Sequence, residues 1–477
     1  MIAKAAQPLP VPGQRRAWWL REALAAEQPA LIAPSLFGEA RADVAIIGGG
    51  YTGMWTAYFL TEAAPDARIV LLEADICGGG PSGRNGGFLH GWWESLPYLV
   101  GRYGQQHGLE IARASDEVVG GIGAWCERHG VDAWFTPRGY LRVNAFPGLA
   151  NDWGGTVAEV DRLGGGGQLL HLDRAHVQAV CASPAFDEGL MMPSAATVQP
   201  ALLARGLRRV LIERGVQIHE GTAVERIERG RQLRLRSARG SVTADRVVLA
   251  ANAWAAGWPG FRTRVLAWGS YIVLTEPIPD RLAELGWTGG EAIADSRFTI
   301  SYFRTTRDGR IAFGAGVGAA GFDGRIGPVF THSRQAIEHV VANFRHLFPM
   351  LAAVRLDDAW GGPIDITADR FPEIGSTHGG RVLYAHGFAG NGVGPARLAG
   401  RILTARIVGS DDPVGRLPLF GRRQRFLPPE PFRYLGAKAI RDALIRQDDA
   451  LDAGRRPALL TRLVAGVPSL LGYRFKH

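Results

Sequence analysis

The sequence predicts an α/β fold: an open, mostly parallel sheet flanked by helices, interrupted by an α+β portion built on a mainly antiparallel sheet. Three observations predict it. A complete strand–turn–helix–strand unit stands at Asp43–Glu73. Two later stretches, "TADRVVLAANAWA" and "RVLYAHG", read as further buried strands of the same kind. The segments between these pieces carry strand-like runs such as "GSYIVLTEPI" and "SRFTISYFRTTRDGRIAFGAG".

The chain has 477 residues, 46% of them hydrophobic. That is enough for two domains and argues against wholesale disorder. No run of about 18 uncharged apolar residues is present, so no membrane-spanning helix is expected. "MIAKAAQPLPVPGQRRAWW" lacks the apolar core and cleavage site of a signal peptide. Cys77, Cys126 and Cys181 are scattered and odd in number. They argue against a disulfide framework or a metal site and for a cytoplasmic setting. The net charge of +9 is concentrated after about Arg416. Nucleic-acid binding is not expected from it. A solvated basic tail or weak contact with a membrane surface fits the same residues. Lysine occurs only at Lys4, Lys438 and Lys476.

Residues Ala42 to Ile47 read as a buried parallel strand, and Tyr51 to Ala63 as a helix that stops before Pro65. "ARIVLLE" follows as a second strand ending at Glu73. Between strand and helix, Gly48, Gly50 and Gly53 form G-x-G-x-x-G. Gly48 allows the tight turn, Gly50 lets a pyrophosphate approach the backbone, and Gly53 lets helix and strand pack closely. The helix N-terminus at Tyr51 and Thr52 offers free N–H groups to phosphate. Glu73, followed by Ala74, stands where a carboxylate can hold a ribose hydroxyl, which disfavours a 2′-phosphate. "GVGAAG" at Gly316–Gly321 has the same glycine spacing but no helix after it, and reads as a glycine-rich strand end. The Asp43–Glu73 unit is therefore expected to bind a dinucleotide in a Rossmann-like domain.

"GGGPSGRNGGFLHGWW" comes directly after the second strand and carries Ser82, Arg84, Asn85, Gly86 and Gly87. An arginine and bare backbone amides beside a pyrophosphate suit a long, doubly charged cofactor. Here the sequence resembles the D-amino-acid-oxidase-type FAD-dependent oxidoreductases, which include glycine and sarcosine oxidases, and within them the γ-glutamylputrescine oxidoreductase-like branch. The likeness runs from about Ala42 to Val408. It implies non-covalent FAD and places Gly48, Gly50, Gly53 and Glu73 in the ADP-binding fingerprint. It places Arg84 to Gly87 along the pyrophosphate and flavin, Val224 at adenine, and Ala250 near the ribityl–pyrophosphate end. Gly390, Asn391, Gly392 and Val393 match the turn that closes on the flavin. That turn also stands on its own: "RVLYAHG" reads as a strand and "PARLAGRILTARIV" as a helix, with Pro395 in its first turn.

The expected organisation is a discontinuous FAD-binding domain, residues 41–91, 199–258 and 357–409. A substrate domain is made of residues 92–198 and 259–356. Residues 1–40 and 410–477 are extensions. "RPALLTRLVAGVPSLLGYRF" is amphipathic and basic, and is expected to pack on the protein itself more readily than on a membrane.

The chemistry implied is oxidation of the C–N bond of a primary or secondary amine to an imine by hydride transfer to flavin N5, followed by hydrolysis. Oxygen or a quinone would take the electrons. Two alternatives stay open: an amino-acid dehydrogenase that feeds a quinone, and a tRNA-modifying flavoprotein. Trp268, Tyr271, Tyr302 and Phe303 are the expected pocket walls. His90 is expected to face the flavin, and Arg304 to bind a substrate acid. The arginine that glycine-oxidase-like members place after the tryptophan–glycine of the closing segment is absent; "WGGPIDIT" stands there. Asp365 and Asp369 lie close by, and an acid-and-aromatic mouth for cationic amines is expected from them. Asp365 serving only to brace the "GGPIDIT" loop is the other reading.

Overall fold

The computed structural model describes residues 16–27, 31–316, 318–422 and 424–474. Lys4, Lys476 and most of the stretch read for a signal peptide lie outside them. Two eight-stranded sheets organise the chain. The central strand of the first, Gly38–Ile47, pairs in parallel with Gly240–Leu249 on one side and Ile69–Leu72 on the other. Val382–His386 and Gln217–His219 extend the parallel sheet outwards, and Glu373–Thr377 closes one edge antiparallel. Val224–Glu228 and Leu233–Ser237 form an antiparallel meander onto Gly240–Leu249. The helices Tyr51–Ala63 and Val393–Val408 pack against each other beside this sheet. Both are buried around much of their circumference, which is why neither shows a polar face in the sequence.

The second sheet runs in the order 356–366, 266–275, 311–315, 301–305, 292–294, 140–143, 189–192, 170–172. Every neighbouring pair is antiparallel except Ala292–Ala294 with Tyr140–Val143. Its outer face is filled by Phe186, Trp287, Phe303, Phe313, Phe344 and Phe348, with helix Arg334–Leu347 laid across it. The fold class is thus the expected one, a Rossmann-like α/β sheet with an inserted, mainly antiparallel α+β portion. One boundary moves. Strand Leu356–Ile366 pairs along its length with Leu266–Thr275 of the second sheet, so position 357 falls inside that sheet and not at the start of a nucleotide-sheet segment.

Described segments near both ends of the chain are tied into the body. Helix Trp18–Ala26 buries Trp19 and Leu20 and packs on helix Pro200–Glu213. Glu27 pairs with both Arg205 and Arg208. At the other end, helix Phe432–Asp452 sends Asp448 into the second sheet. Its carboxylate accepts from the Phe298 N–H (3.4 Å), the Thr299 N–H (3.1 Å) and the Thr299 hydroxyl (2.7 Å). Burial pushes the Asp448 pKa up to about 6. A folded-state value above the ordinary one means that the group's contribution to stability is complete below about pH 4 and is lost as pH rises through about 6. In Asp448→Asn, the stability difference from the native protein should therefore shift in the variant's favour by roughly 3 kcal/mol between about pH 4 and pH 7, read by denaturant unfolding. A difference independent of pH would show that the carboxylate does not titrate in this window.

Helix Leu459–Leu470 lies against helix Phe432–Asp452 and buries Pro468. Leu459, Leu460, Leu463 and Leu470 all face outward, Leu470 at 84% exposure. Those four leucines are not buried against the described residues. No described helix is long and apolar enough to cross a membrane.

Candidate active site

The glycine turn is built by close approach. Gly48 has φ +109°, and a Cβ there would lie 2.4 Å from the Ala250 carbonyl oxygen. A Cβ on Gly53 would lie 2.0 Å from the Gly48 carbonyl oxygen, so helix and turn touch backbone to backbone. Gly50 differs: its Cβ position meets only the Ser82 hydroxyl, at 3.1 Å. That hydroxyl accepts the N–H of Tyr51 at 2.9 Å and so caps the helix from a neighbouring loop. Glu73 accepts the Gly49 N–H at 2.7 Å and the Asp75 N–H at 2.8 Å. Burial raises its pKa, and these two N–H groups pull the other way. Thr52 is buried, its carbonyl taking the Thr56 hydroxyl, whereas Ala74 is exposed. Val224 opens the meander, and Ala250 donates to the Ile47 carbonyl at 2.9 Å. A bare backbone at Gly50, a helix N-terminus and a carboxylate converge, and this is the donor set a dinucleotide's phosphates and ribose require.

The Ser82–Gly87 loop is rigid for identifiable reasons. Asn85 donates to the carbonyls of Pro81 and Ser82, both at 3.1 Å, and accepts the Gly87 N–H at 2.7 Å. Arg84 donates to the Gly79 carbonyl at 2.9 Å, and Trp360 donates to the Arg84 carbonyl at 2.9 Å. Asn85 therefore shapes the loop, while the backbone of Gly86 is left to line the cleft. Gly87 is pinned beneath, where a Cβ would lie 2.0 Å from the Val198 carbonyl oxygen.

A cleft of about 1610 Å³, its open mouth included, lies between the two sheets. Arg84, Asn85, Gly86, Phe388, Gly390, Asn391 and Val393 line it from the nucleotide side. The Asn391 side-chain oxygen is buried there without a protein partner, and Gly392 begins the helix cap beside it. This is the fit expected for a flavin ring edge at the closing turn.

From the second sheet come Trp268, Ser270 and Tyr302. The Tyr302 and Ser270 hydroxyls lie 2.7 Å apart, and burial pushes the Tyr302 pKa up to about 12. The Trp268 indole donates to the Gly316 carbonyl at 2.9 Å. His90 is in the cleft, stacked on Tyr140 at 4.8 Å, with Nδ1 3.0 Å from the Gly91 carbonyl. Burial lowers its pKa.

Five expected residues are elsewhere. Tyr271 and Phe303 point to the outer face of the second sheet, and the Tyr271 hydroxyl bonds the Val329 carbonyl. Successive strand residues alternate faces, so Trp268 and Ser270 in the cleft put Tyr271 out of it. Arg304 lies beneath Gly87 and donates to the Val198 carbonyl at 2.5 Å and to the Thr305 carbonyl at 3.1 Å. It does not line the cleft and cannot grip a substrate acid there. Asp365 is 1% exposed and accepts the N–H groups of Gly387 (2.6 Å) and Phe388 (3.1 Å). Asp369 pairs with Arg422 at 2.5 Å and accepts the Tyr98 hydroxyl at 2.9 Å. Neither makes an acidic mouth. The described residues of the lining include four arginines, Arg84, Arg142, Arg370 and Arg474, and one carboxylate, Glu94. The cleft is therefore basic and aromatic. Arg142, Arg370 and Arg474 escape sequence reasoning because no motif marks them. The strand pattern around Arg142 would have placed it on the sheet, but not in the cleft.

Residues 43–406 match the family described as DAO, FAD dependent oxidoreductase. The probable oxidoreductase OrdL of Rhizobium meliloti (strain 1021) is 30% identical over 432 residues, 88% of this chain and 96% of its own length. The gamma-glutamylputrescine oxidoreductase of Escherichia coli (strain K12) is 29% identical over 422 residues, 84% of this chain and 93% of its own length. The fold is similar to the crystal structure of glycine oxidase from Geobacillus kaustophilus, with a TM-score of 0.67 at 20% identity, covering 81% of this chain and 100% of that one. The G-x-G-x-x-G turn, the carboxylate of Glu73 and the closing turn at Gly390–Val393 thus stand in a chain that belongs to the FAD-dependent oxidoreductase family, with FAD as its cofactor.

Proposed function

We propose that the protein oxidises the C–N bond of a primary or secondary amine to an imine, which water hydrolyses. The observation that carries this reading is the cleft, where the flavin-contact segments Arg84–Gly86 and Phe388–Val393 face an aromatic wall of Trp268, Tyr302 and Tyr140. FAD supplies the hydride acceptor when bound. The chain's part is to hold the amine and take a proton from it. Ring faces attract an ammonium group. His90, kept neutral by burial and with Nδ1 donating to the Gly91 carbonyl, leaves Nε2 as the base that takes the ammonium proton. Tyr302 keeps its proton and acts through its ring and its bond to Ser270. The name of the Escherichia coli relative, an oxidoreductase of an amine, supports the same reading. We read the FAD as non-covalent, since no cysteine is among the described lining residues. The test is anaerobic mixing of the holoenzyme with a panel of amines and amino acids, followed by flavin absorbance. Bleaching by amines is expected; a flavin that no amine reduces would sink the proposal. Peroxide and quinone-reduction assays then identify the acceptor.

Cofactor retention gives a separate prediction. Glu73 keeps lone pairs for ribose hydroxyls beyond its two backbone bonds. Charge-assisted bonds of this kind are worth about 1.5–3 kcal/mol, so Glu73→Ala should weaken FAD retention by roughly 10- to 100-fold. Full occupancy of the variant after extensive dialysis would place the ribose elsewhere.

A further inference from the structure

Among the described residues, nine of the sixteen exposed large hydrophobic side chains lie between Phe426 and Leu471, so exposed apolar surface is concentrated on the C-terminal extension. Six of them belong to helix Leu459–Leu470 and its C-cap: Leu459, Leu460, Leu463, Val467, Leu470 and Leu471. At about 100° of rotation per residue they fall within a single arc of about 120°. Pro468, on the opposite side of the helix, is buried. An apolar stripe of this width that the fold leaves open marks an interaction surface.

The stripe is held in place and is not a frayed end. The Arg425 guanidinium donates to the Leu471 carbonyl at 2.7 Å, and the Tyr473 hydroxyl donates to the Phe426 carbonyl at 3.0 Å. Just beyond, the Arg474 N–H bonds the Ala368 carbonyl at 2.9 Å. These bonds fasten the end of the helix to the body and set the exposed Phe426 near it.

The charges around the stripe have one sign. Residues 453–477 contain no aspartate and no glutamate. Arg455 and Arg456 stand just before the helix, and both are exposed. Arg462 is exposed too, about 60° outside the edge of the stripe. An apolar stripe flanked by arginines and free of acids suits a helix lying in the plane of a bilayer surface, with leucines among the acyl chains and arginines at anionic headgroups. A second copy of the chain fits less well, because it would bring the same arginines face to face. A nucleic acid would use the arginines and leave the six apolar side chains in water. We propose that helix Leu459–Leu470 docks the protein on an anionic lipid bilayer, lying in the interface without crossing it. Docking and amine oxidation are independent properties of the chain.

The test is flotation of the flavin-loaded full chain with two kinds of vesicle, phosphatidylcholine alone and phosphatidylcholine mixed with an equal part of phosphatidylglycerol. The native protein should float with the mixed vesicles and far less with the neutral ones, and added salt should weaken the binding. Leu460→Gln combined with Leu463→Gln keeps the net charge and should weaken binding by about 10- to 100-fold, since two leucines lose their burial. Leu470→Gln, at a single site, should act in the same direction. Arg455→Gln combined with Arg456→Gln should weaken binding to the mixed vesicles by about 10- to 30-fold. Leu170→Gln is the control: Leu170 is exposed on the edge strand Leu170–Leu172 of the second sheet and should not affect flotation. Flavin absorbance per mole of protein, equal in all these variants, shows that they are folded. Binding that ignores the leucine substitutions would be plain attraction of a basic chain to a polyanion and overturns the proposal. Equal binding to neutral and mixed vesicles overturns it as well. So does failure to bind the mixed vesicles at all, whether sedimentation then shows a dimer that the leucine substitutions dissociate or a monomer with its stripe left free.

Discussion

Gly48→Ala is expected to give a protein that folds and holds no flavin. The added methyl would sit 2.4 Å from the Ala250 carbonyl oxygen and 3.0 Å from its carbon. Neither neighbour can yield cheaply. Ala250 is fixed by its N–H bond to the Ile47 carbonyl, and Gly48 by its own bond to the Leu72 carbonyl, each 2.9 Å, so three strands of the sheet meet at this point. A φ of +109° is also outside the space open to an L side chain and adds about 1–3 kcal/mol of strain. The turn must open, which carries Gly50 and the N-terminus of helix Tyr51–Ala63 away from the phosphates. Affinity for FAD should fall by more than about 100-fold, equivalent to roughly 2.7 kcal/mol. Visible absorbance per mole of protein measures it, with far-ultraviolet circular dichroism to confirm folding. Gly101→Ala is the control. That glycine lies in helix Leu96–Tyr103 with nothing near its Cβ position, so alanine there should be neutral or mildly stabilising. A yellow Gly48→Ala protein would mean that the turn adapts and that the close approach is not required.

The nucleotide half of the molecule is legible in sequence because its determinants are local. Strand, glycine turn, helix and acid follow one another within Asp43–Glu73, and helix Tyr51–Ala63 begins and ends where its flanking glycine and proline place it. The closing turn is legible for the same reason, a strand and a helix joined by "GFAGNG". The second sheet is harder. "GSYIVLT" is nearly continuous in apolar residues, so nothing in it says which face meets the cleft. Tyr271 and Tyr302 look equivalent in sequence; one bonds the Val329 carbonyl on the outer face and the other lines the cleft. Arg304 shares a face with Tyr302 but lies two residues along the strand, beneath Gly87.

The basic end of the cleft is set by long-range closure, which no local pattern encodes. Arg142 arrives on a strand of the inserted sheet, Arg370 on a left-handed residue after Leu356–Ile366, and Arg474 from the end of the chain. Charge counting along the sequence marks the tail as basic but cannot say that one of its arginines returns to the cleft. The error about Asp365 and Asp369 has the same origin. Their spacing from the closing segment is visible, but the partners that occupy them are not: backbone N–H groups for one, Arg422 and Tyr98 for the other.

Asp365 is where that correction has the largest consequence. Its carboxylate accepts the N–H groups of Gly387 and Phe388, and its backbone carbonyl accepts the Ala389 N–H at 2.9 Å. The segment it holds contains three left-handed residues, Gly387 at φ +85°, Ala389 at +52° and Gly390 at +91°. A chain in that conformation does not hold itself; the bonds from Asp365 keep it. Asp365→Ala leaves two buried N–H groups without acceptors, at about 1–3 kcal/mol each, so a loss of roughly 2–6 kcal/mol in unfolding free energy is expected. In the site proposed above, the same turn would present its backbone to the flavin at the start of helix Val393–Val408. Misplacing such donors typically costs a factor of about 100 or more, and the limiting rate of flavin reduction should fall by that order. Asp365→Asn keeps the shape and one acceptor oxygen, and should fall between the two. The pattern separates bracing from substrate attraction. A bracing role lowers the limiting rate and FAD retention together and leaves the ranking of amines unaltered. A role in attracting cationic amines would raise their apparent dissociation constants while sparing the limiting rate. Rapid-mixing reduction of Asp365→Asn with an amine and its ω-carboxylated counterpart decides between them, and a selective loss of affinity for the uncarboxylated amine would return Asp365 to the mouth of the cleft.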